Sequence, residues 1–273
     1  MTAPATPPAL AVDVGGTFTD VVGWDGRHLR TGKVASTPDD QSVGVVAGAE
    51  QVPIDPARFL HGTTVATNAL LERRGASTAL VTTPGFGDVL EIGRQDRPSL
   101  YDSFDDRAPP LVERALRLEA DATDLLEQLS GVEAVAVALL YGFERAAEEA
   151  AIAEAIRSAR PDLAVSLSSE VVAEFREFER TATTVLNAYL MPETGRYLSE
   201  LVTRAKAVGL PAEIQVMRSS GGLMPIRDAA ALPASILLSG PAGGVVAASA
   251  IGEALGRSRL VSFDMGGTST DVC

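Results

Sequence analysis

Cysteine is almost missing from this chain. Cys273, the last of 273 residues, stands alone, so no intrachain disulfide can form, and a reducing, cytoplasmic setting is expected. Basic residues are scarce: 23 Lys and Arg stand against 36 Asp and Glu, a net charge of −13. That balance argues against nucleic acid and against an anionic membrane surface, both of which attract Lys and Arg. Long apolar runs are lacking too. The longest, Ala134–Phe143, falls far short of the ~20 residues a membrane span needs. The opening MTAPATPPAL has neither a basic region nor an apolar core, so residues 1–10 read as a disordered Pro/Ala-rich tail rather than a signal peptide. What remains is 46% apolar, the composition of a globular protein of one large domain or two small ones.

Against that background one stretch stands out. Ala11–Val22 reads AVDVGGTFTDVV, an apolar β-prone run broken at Gly15-Gly16 and then resumed. Glycine lacks a Cβ, so such a turn exposes backbone N–H groups that can wrap phosphate oxygens. Asp13 before the turn suits a divalent cation, because Mg²⁺ is held by one or two carboxylates plus phosphate. The other end of the chain repeats the pattern. Ser262–Cys273 reads SFDMGGTSTDVC, and Asp13, Gly15, Gly16, Thr17, Thr19, Asp20 and Val21 recur as Asp264, Gly266, Gly267, Thr268, Thr270, Asp271 and Val272. Two distant copies of one loop suggest two related halves facing one ligand. In this the chain resembles the actin, sugar-kinase and heat-shock ATPase superfamily.

Between these turns, strand and helix patterns alternate from Leu60 to Leu167, which argues for an α/β protein with a mixed or parallel sheet. Gly93–Pro110 reads as a long loop, and long loops in compact domains are usually functional or disordered. Ala173–Leu190 has the strongest helical periodicity; Met191-Pro192 is expected to end it, with a second helix over Thr194–Val208. Ala234–Leu238 reads as a strand running into SGPAGG at 239–244.

Seven stretches in order carry a resemblance to one family: AVDVGGTFTDVV, HGTTVATNALLERRG (61–75), FGDVLEIGRQDRPSLYD (86–102), EFERTATTVLNAYL (177–190), MRSSGGLM (217–224), SGPAGGV (239–245) and DMGGTSTDV (264–272). Together they resemble the hydantoinase/5-oxoprolinase family, which includes ATP-dependent N-methylhydantoinases, 5-oxoprolinases and a subunit of acetone carboxylases. One segment, GFERAAEE at 142–149, departs from the family pattern. The resemblance implies an actin-like ATPase (ribonuclease H-like) fold with mixed sheets. It divides the chain into a tail (1–10), a hydantoinase/oxoprolinase N-terminal region (11–181) and the start of the hydantoinase A core (182–273). It implies ATP and Mg²⁺, and a cyclic amide whose carbonyl oxygen is phosphorylated so that water can open the ring. It also implies an oligomer, with a second enzyme subunit as a further partner. The chain stops inside the second motif, so the expectation is the N-terminal part of a longer enzyme, binding ATP weakly or not at all by itself and inactive alone. Two alternatives stand: the ATP-using subunit of an acetone-type carboxylase, and an actin-like binding or regulatory module without small-molecule chemistry.

Carried onto this sequence, the resemblance gives a candidate site. Gly15, Gly16, Thr17 and Thr19 would hold phosphates from one side, and Gly266, Gly267, Thr268 and Thr270 from the other. Asp13 and Asp264 would bind Mg²⁺, while Asp20 and Asp271 would orient their own turns. Gly240, Gly243 and Gly244 open a helix whose N-terminus would face an anion; the same residues also read as a plain helix start, with Ser239 as cap and Pro241 in the first turn. His61, Thr63 and Thr64 are the catalytic candidates, His61 polarising a carbonyl or relaying a proton; a satisfied structural histidine is the competing reading. Asn68, Arg94 and Asp96 are candidate substrate contacts, the last two equally readable as a solvated loop.

Overall fold

The computed structural model describes residues 6–37, 39–102, 104–265 and 270–273. The chain forms two compact units: residues 1–72 with 194–273, and residues 73–193.

The first unit opens with β1 (Ala9–Val14), β2 (Phe18–Trp24) and β3 (Leu29–Ala35), followed by α1 (Gln41–Gln51), β4 (Arg58–Thr63) and α2 (Val65–Leu71). Alternation decides which side of the first strands is buried: Leu10, Val12 and Val14 of β1 and Thr19 and Val21 of β2 face inward. Asp40 starts α1 by accepting the Ser42 N–H at 3.1 Å, which satisfies one of the free donors of the first turn.

The second unit holds β5 (Thr78–Thr82), α3 (Val89–Ile92), β6 (Arg117–Glu119), α4 (Leu125–Gln128), β7 (Ala134–Ala138), α5 (Ala146–Ala159), β8 (Ala164–Leu167) and α6 (Ser168–Val171). Its strands pair in the order β6-β5-β7-β8, all parallel. Every residue of β5 and β7 is buried, as expected of a parallel sheet covered on both faces. Val81, Val135 and Val137 pack with Leu129, Ile156 and Leu167 in one cluster, and Leu80 and Ala136 pack with Val112 and Val185 in another.

The helix α7 (Glu177–Ala207) follows, and it corrects the expectation of two helices parted at Pro192. Proline removes one N–H from the helical ladder, a local cost of about 3 kcal/mol. Buried residues on both sides of it, among them Val185, Ala188 and Leu190 before and Leu198, Leu201 and Ala205 after, reward continuation.

The first unit is completed by β9 (Ile214–Met217), β10 (Leu223–Pro225), α8 (Ile226–Ala231), α9 (Ser239–Ala254), β11 (Phe263–Met265) and β12 (Thr270–Val272). Its main sheet runs β10-β9-β4-β1-β2-β3. The pairs β1–β2, β2–β3 and β9–β10 are antiparallel, and β1–β4 and β4–β9 are parallel, so the sheet is mixed as expected. The strand expected over Ala234–Leu238 is instead a 3₁₀ turn, Pro233–Ile236. The Ser235 hydroxyl donates to the Leu232 carbonyl at 2.7 Å, and the Ser219 N–H and hydroxyl both donate to the Ser235 carbonyl, at 2.8 Å each. Those bonds take up the Leu232 and Ser235 carbonyls, the latter by Ser219 from the loop after β9. Among the described residues, no helix is long and apolar enough to cross a membrane.

Candidate functional site

Three parallel strands of the first unit, β1, β4 and β9, end at one edge of the sheet, the edge where open α/β sheets bind ligands. The β1–β2 turn lies there. It is closed by the Gly15 N–H donating to the Phe18 carbonyl at 3.0 Å, and Gly16 and Thr17 are exposed at its tip. Ser36 staples the turn from beside it, its hydroxyl donating to the Gly15 carbonyl at 2.7 Å and its N–H to the Thr17 carbonyl at 2.9 Å. Thr19 is fully buried, its hydroxyl 3.3 Å from that of Ser36, so it supports the turn from the inner face.

The repeat read in the sequence is also a repeat of register. Asp13 pairs with Asp20 and Val14 with Thr19 across β1–β2; Asp264 pairs with Asp271 and Met265 with Thr270 across β11–β12. Gly266, Gly267 and Thr268 lie outside the described residues. Asp13 opens to solvent, yet enough protein surrounds it that burial raises its carboxyl above the usual range, and the charges of Asp20 and Asp264 raise it further. Lys33 offsets only part of that negative field, through its ion pair with Asp20 at 2.8 Å.

Gly62 of β4 sits directly beside Asp13 in the parallel register. A Cβ there would lie 2.3 Å from the Asp13 Oδ1, so the carboxylate occupies the space that the glycine leaves. Sequence reasoning passed over this residue; the signal was a glycine inside a strand, which often marks a close approach.

His61 and Thr63 flank Gly62 and point to the opposite, buried face. Both nitrogens of His61 are engaged: Nδ1 with the Val12 carbonyl at 3.1 Å and Nε2 with the Tyr197 hydroxyl at 2.7 Å. Burial lowers its pKa from 6.5 to about 4, against the opposing effect of the Val12 hydrogen bond, so the ring is neutral near pH 7. Burial raises the Tyr197 phenol well above its ordinary value. Tyr197 was not among the sequence candidates, because nothing local links positions 61 and 197. Thr63 accepts the Val65 N–H at 3.2 Å, and Thr64 donates to the Val14 carbonyl at 3.1 Å. Asn68 reaches back to the Thr64 hydroxyl at 3.4 Å.

The start of α9 joins the same group. The Ser239 hydroxyl donates to the Thr63 carbonyl at 3.3 Å, and the Leu238 N–H donates to the Thr67 hydroxyl at 3.1 Å. Leu238 takes a left-handed backbone conformation, φ 55°, to turn the chain into the helix. Gly240 and Gly244 face open space and Gly243 packs beside Met217, which leaves the first turn of α9 accessible. A cleft of about 230 Å³ lies between Pro241 and Gly244 of that turn and Asp264 and Asp271 of the terminal hairpin. The Arg218–Gly222 loop after β9, with Gly221 and Gly222 both at positive φ, completes the edge.

The structure therefore brings together Asp13, the first glycine turn, Thr64, Asn68, the start of α9 and Asp264. Arg94 and Asp96 belong to the second unit. There Arg94 pairs with Glu179, and the Asp96 carbonyl accepts from Arg107. The departing segment 142–149 also finds its role in that unit. Glu149 is fully buried and accepts the Leu139 N–H at 3.0 Å, the Ser169 N–H at 2.9 Å and the Ser168 hydroxyl at 2.6 Å. Arg180, also buried, donates to that hydroxyl at 3.2 Å and to the Leu139 carbonyl at 2.9 Å, and it pairs with Glu177.

The donors at the sheet edge suit a hard cation: carboxylate oxygens in excess of the local positive charge. Among the described residues, no group of three or more His, Cys, Asp or Glu could hold a metal ion. One or two carboxylates completed by phosphate oxygens is the arrangement that fits.

Residues 9–123 match the hydantoinase/oxoprolinase N-terminal region, and residues 180–273 match the hydantoinase/oxoprolinase family. The chain is 31% identical over 299 residues to the caprolactamase subunit alpha of Pseudomonas jessenii, covering 96% of this chain and 42% of that protein. The crystal structure of the ATP-dependent caprolactamase from that organism superposes with a TM-score of 0.81 at 29% identity, over 97% of this chain and 43% of the other. The chain is 33% identical over 324 residues to 5-oxoprolinase 1 of Arabidopsis thaliana, covering 96% of this chain and 25% of that protein. A nucleotide-free acetone carboxylase shares the fold, with a TM-score of 0.80 over 98% of this chain and 44% of that one. The chain thus spans less than half the length of these relatives. The fold is mixed α/β of the actin-like ATPase type.

Proposed function

Because this chain belongs to the hydantoinase/oxoprolinase family, we propose that its sheet edge is the phosphate-binding part of an ATP-dependent enzyme that opens a cyclic amide. The observation that carries this reading is the shared register of the two hairpins, with Asp264 close enough for its charge to raise the Asp13 pKa. Two matching hairpins suit a polyphosphate gripped from two sides.

ATP would supply the phosphoryl group that turns an amide oxygen into a good leaving group. The chain's part is positioning and charge neutralisation rather than covalent chemistry of its own. Asp13 and Asp264 would hold Mg²⁺, which neutralises phosphate charge. Gly16 and Thr17 at the first tip, with Gly15 shaping the turn, would meet phosphate oxygens through backbone N–H groups. Gly240, Gly243 and Gly244 would offer a helix N-terminus to the same anion. Gly266, Gly267, Thr268 and Thr270 are assigned the mirror role by the repeat alone. Asn68 stands at this edge as a polar contact; Arg94 and Asp96 are proposed for the amide on the resemblance alone. The subunit designation of the caprolactamase relative supports a partner subunit for this protein as well.

The test is phosphate release from ATP by the protein, with any co-purifying subunit, in the presence of lactams, hydantoins or 5-oxoproline. Stimulation by one of these, abolished in Asp13→Asn, is the expected result. Turnover indifferent to every cyclic amide would instead favour the binding or regulatory module. Stimulation by a ketone with bicarbonate would favour the carboxylase reading, to which the acetone carboxylase fold likeness points.

A further inference from the structure

Asp13 is held from both sides through its neighbours in sequence. The Val12 carbonyl accepts from His61 Nδ1 at 3.1 Å, and the Val14 carbonyl accepts from the Thr64 hydroxyl at 3.1 Å. Both side chains come from one tetrapeptide, His61-Gly62-Thr63-Thr64, and its glycine supplies the space that the Asp13 carboxylate fills.

The hydrogen-bond roles around His61 follow from chemistry. A carbonyl can only accept, so Nδ1 carries the ring proton. Nε2 is then the acceptor, and the Tyr197 hydroxyl donates to it at 2.7 Å. Tyr197 in turn interacts with the Thr63 hydroxyl, which itself accepts the Val65 N–H at 3.2 Å. Every polar atom of the imidazole is used, and the residue is 1% exposed.

Its direction matters as much as its bonds. Val12 pairs with His61, and Asp13 pairs with Gly62. Paired residues of neighbouring strands leave the sheet on the same face, and successive residues leave on opposite faces. The His61 ring and the Asp13 carboxylate therefore lie on opposite sides of the sheet. A ligand on the Asp13 side has no path to the imidazole.

We infer that His61, Tyr197 and Thr64 form a clamp that fixes the Asp13 carboxylate in place, and that they are positioning residues rather than proton-transfer groups. This rests on the reading of Asp13 as a ligand of the metal–phosphate pair. Nothing in the family resemblance required it, since the catalytic reading of His61 placed the ring against substrate.

The experiment is equilibrium titration of the full-length protein, with any co-purifying subunit, with Mg–ATP and with metal-free ATP, paired with crystal structures of the same variants. His61→Leu removes both ring bonds. His61→Asn keeps an N–H that can reach the Val12 carbonyl. Thr64→Val removes the Val14 bond at nearly constant shape. The clamp predicts that His61→Leu and Thr64→Val weaken Mg–ATP by about ten-fold or more, a change of about 1.4 kcal/mol, with metal-free ATP within about two-fold of the parent protein. His61→Asn recovers most of the loss. Equal weakening of both ATP forms, or no difference between Asn and Leu, overturns the clamp. If His61→Leu does not fold, Thr64→Val and His61→Asn decide alone. A parent protein that binds neither form of ATP defeats the phosphate reading. The crystal structures still judge the clamp in that case: Asp13 must leave its place over Gly62 in Thr64→Val and keep it in His61→Asn.

Discussion

Gly62→Ala is the most direct way to disturb the site without touching a ligand. An alanine Cβ would fall 2.3 Å from the Asp13 Oδ1, 3.2 Å from its Cγ and 3.6 Å from its Cβ. Comfortable non-bonded contacts begin at about 3.5 Å, so the carboxylate oxygen is more than about 1 Å too close and must swing away. The backbone at Gly62 is not in the left-handed region, so alanine adds no conformational strain. Because the obstructing atom is the free end of a solvent-facing side chain, the cost to folding should be at the low end of overpacking, roughly 1 kcal/mol. The cost to the site is larger. If Asp13 holds the metal as proposed, a carboxylate turned off its line would no longer reach it, and Mg–ATP affinity should fall at least about ten-fold, or about 1.4 kcal/mol. Calorimetric titration gives the affinity, and urea unfolding of the same sample gives the stability. A variant that folds and binds Mg–ATP as tightly as the parent would refute the placement of Asp13 as a ligand.

Stability measurements probe the rest of the structure. The folded pKa of His61, about 4, lies below its unfolded value of 6.5. The stability of the neutral buried ring is thus fully present above pH 6.5 and is lost as pH falls through the folded pKa. The loss is on the order of 3 kcal/mol. Urea midpoints of the parent and His61→Asn across that window check it, and parallel curves would count against a buried neutral histidine. Glu149→Ala would strand the Leu139 and Ser169 N–H groups and remove the acceptor of the Ser168 hydroxyl, to which Arg180 donates. It should destabilise the second unit by about 3–5 kcal/mol, read as a lowered midpoint in chemical denaturation. Gly195 lies inside α7 with open space where a Cβ would be. Gly195→Ala should therefore raise stability by ~1 kcal/mol, and a thermal midpoint no higher than the parent's would contradict that.

The GFERAAEE segment shows how context settles what pattern leaves open. Read along the chain, it stands out only as a departure from the family pattern. In the structure Glu149 is buried and binds three donors, and Gly142 leaves room for it: a Cβ there would lie 2.3 Å from the Glu149 Oε1. Arg180 shows the same. A guanidinium beside an apolar stripe can point to solvent or inward, and the carbonyls of Leu139 and Glu174 draw this one inward.

By itself, the sequence determined what depends on neighbours along the chain. Gly15-Gly16 marks a turn because glycine relieves a steric limit within a few residues: a Cβ on Gly15 would meet the Phe18 carbonyl at 3.1 Å. The Asp40 cap starts α1 locally, and the alternation of strand and helix patterns that made the chain α/β rests on local propensity and periodicity. The tertiary structure alone decided what depends on distant partners. It carried α7 through Pro192, because burial on both sides outweighs one lost hydrogen bond. It joined residues 1–72 to 194–273 in one unit. It also set Tyr197 against His61 and Asp13 over Gly62. Burial and strand register are properties of the folded whole, and no window of the sequence contains them.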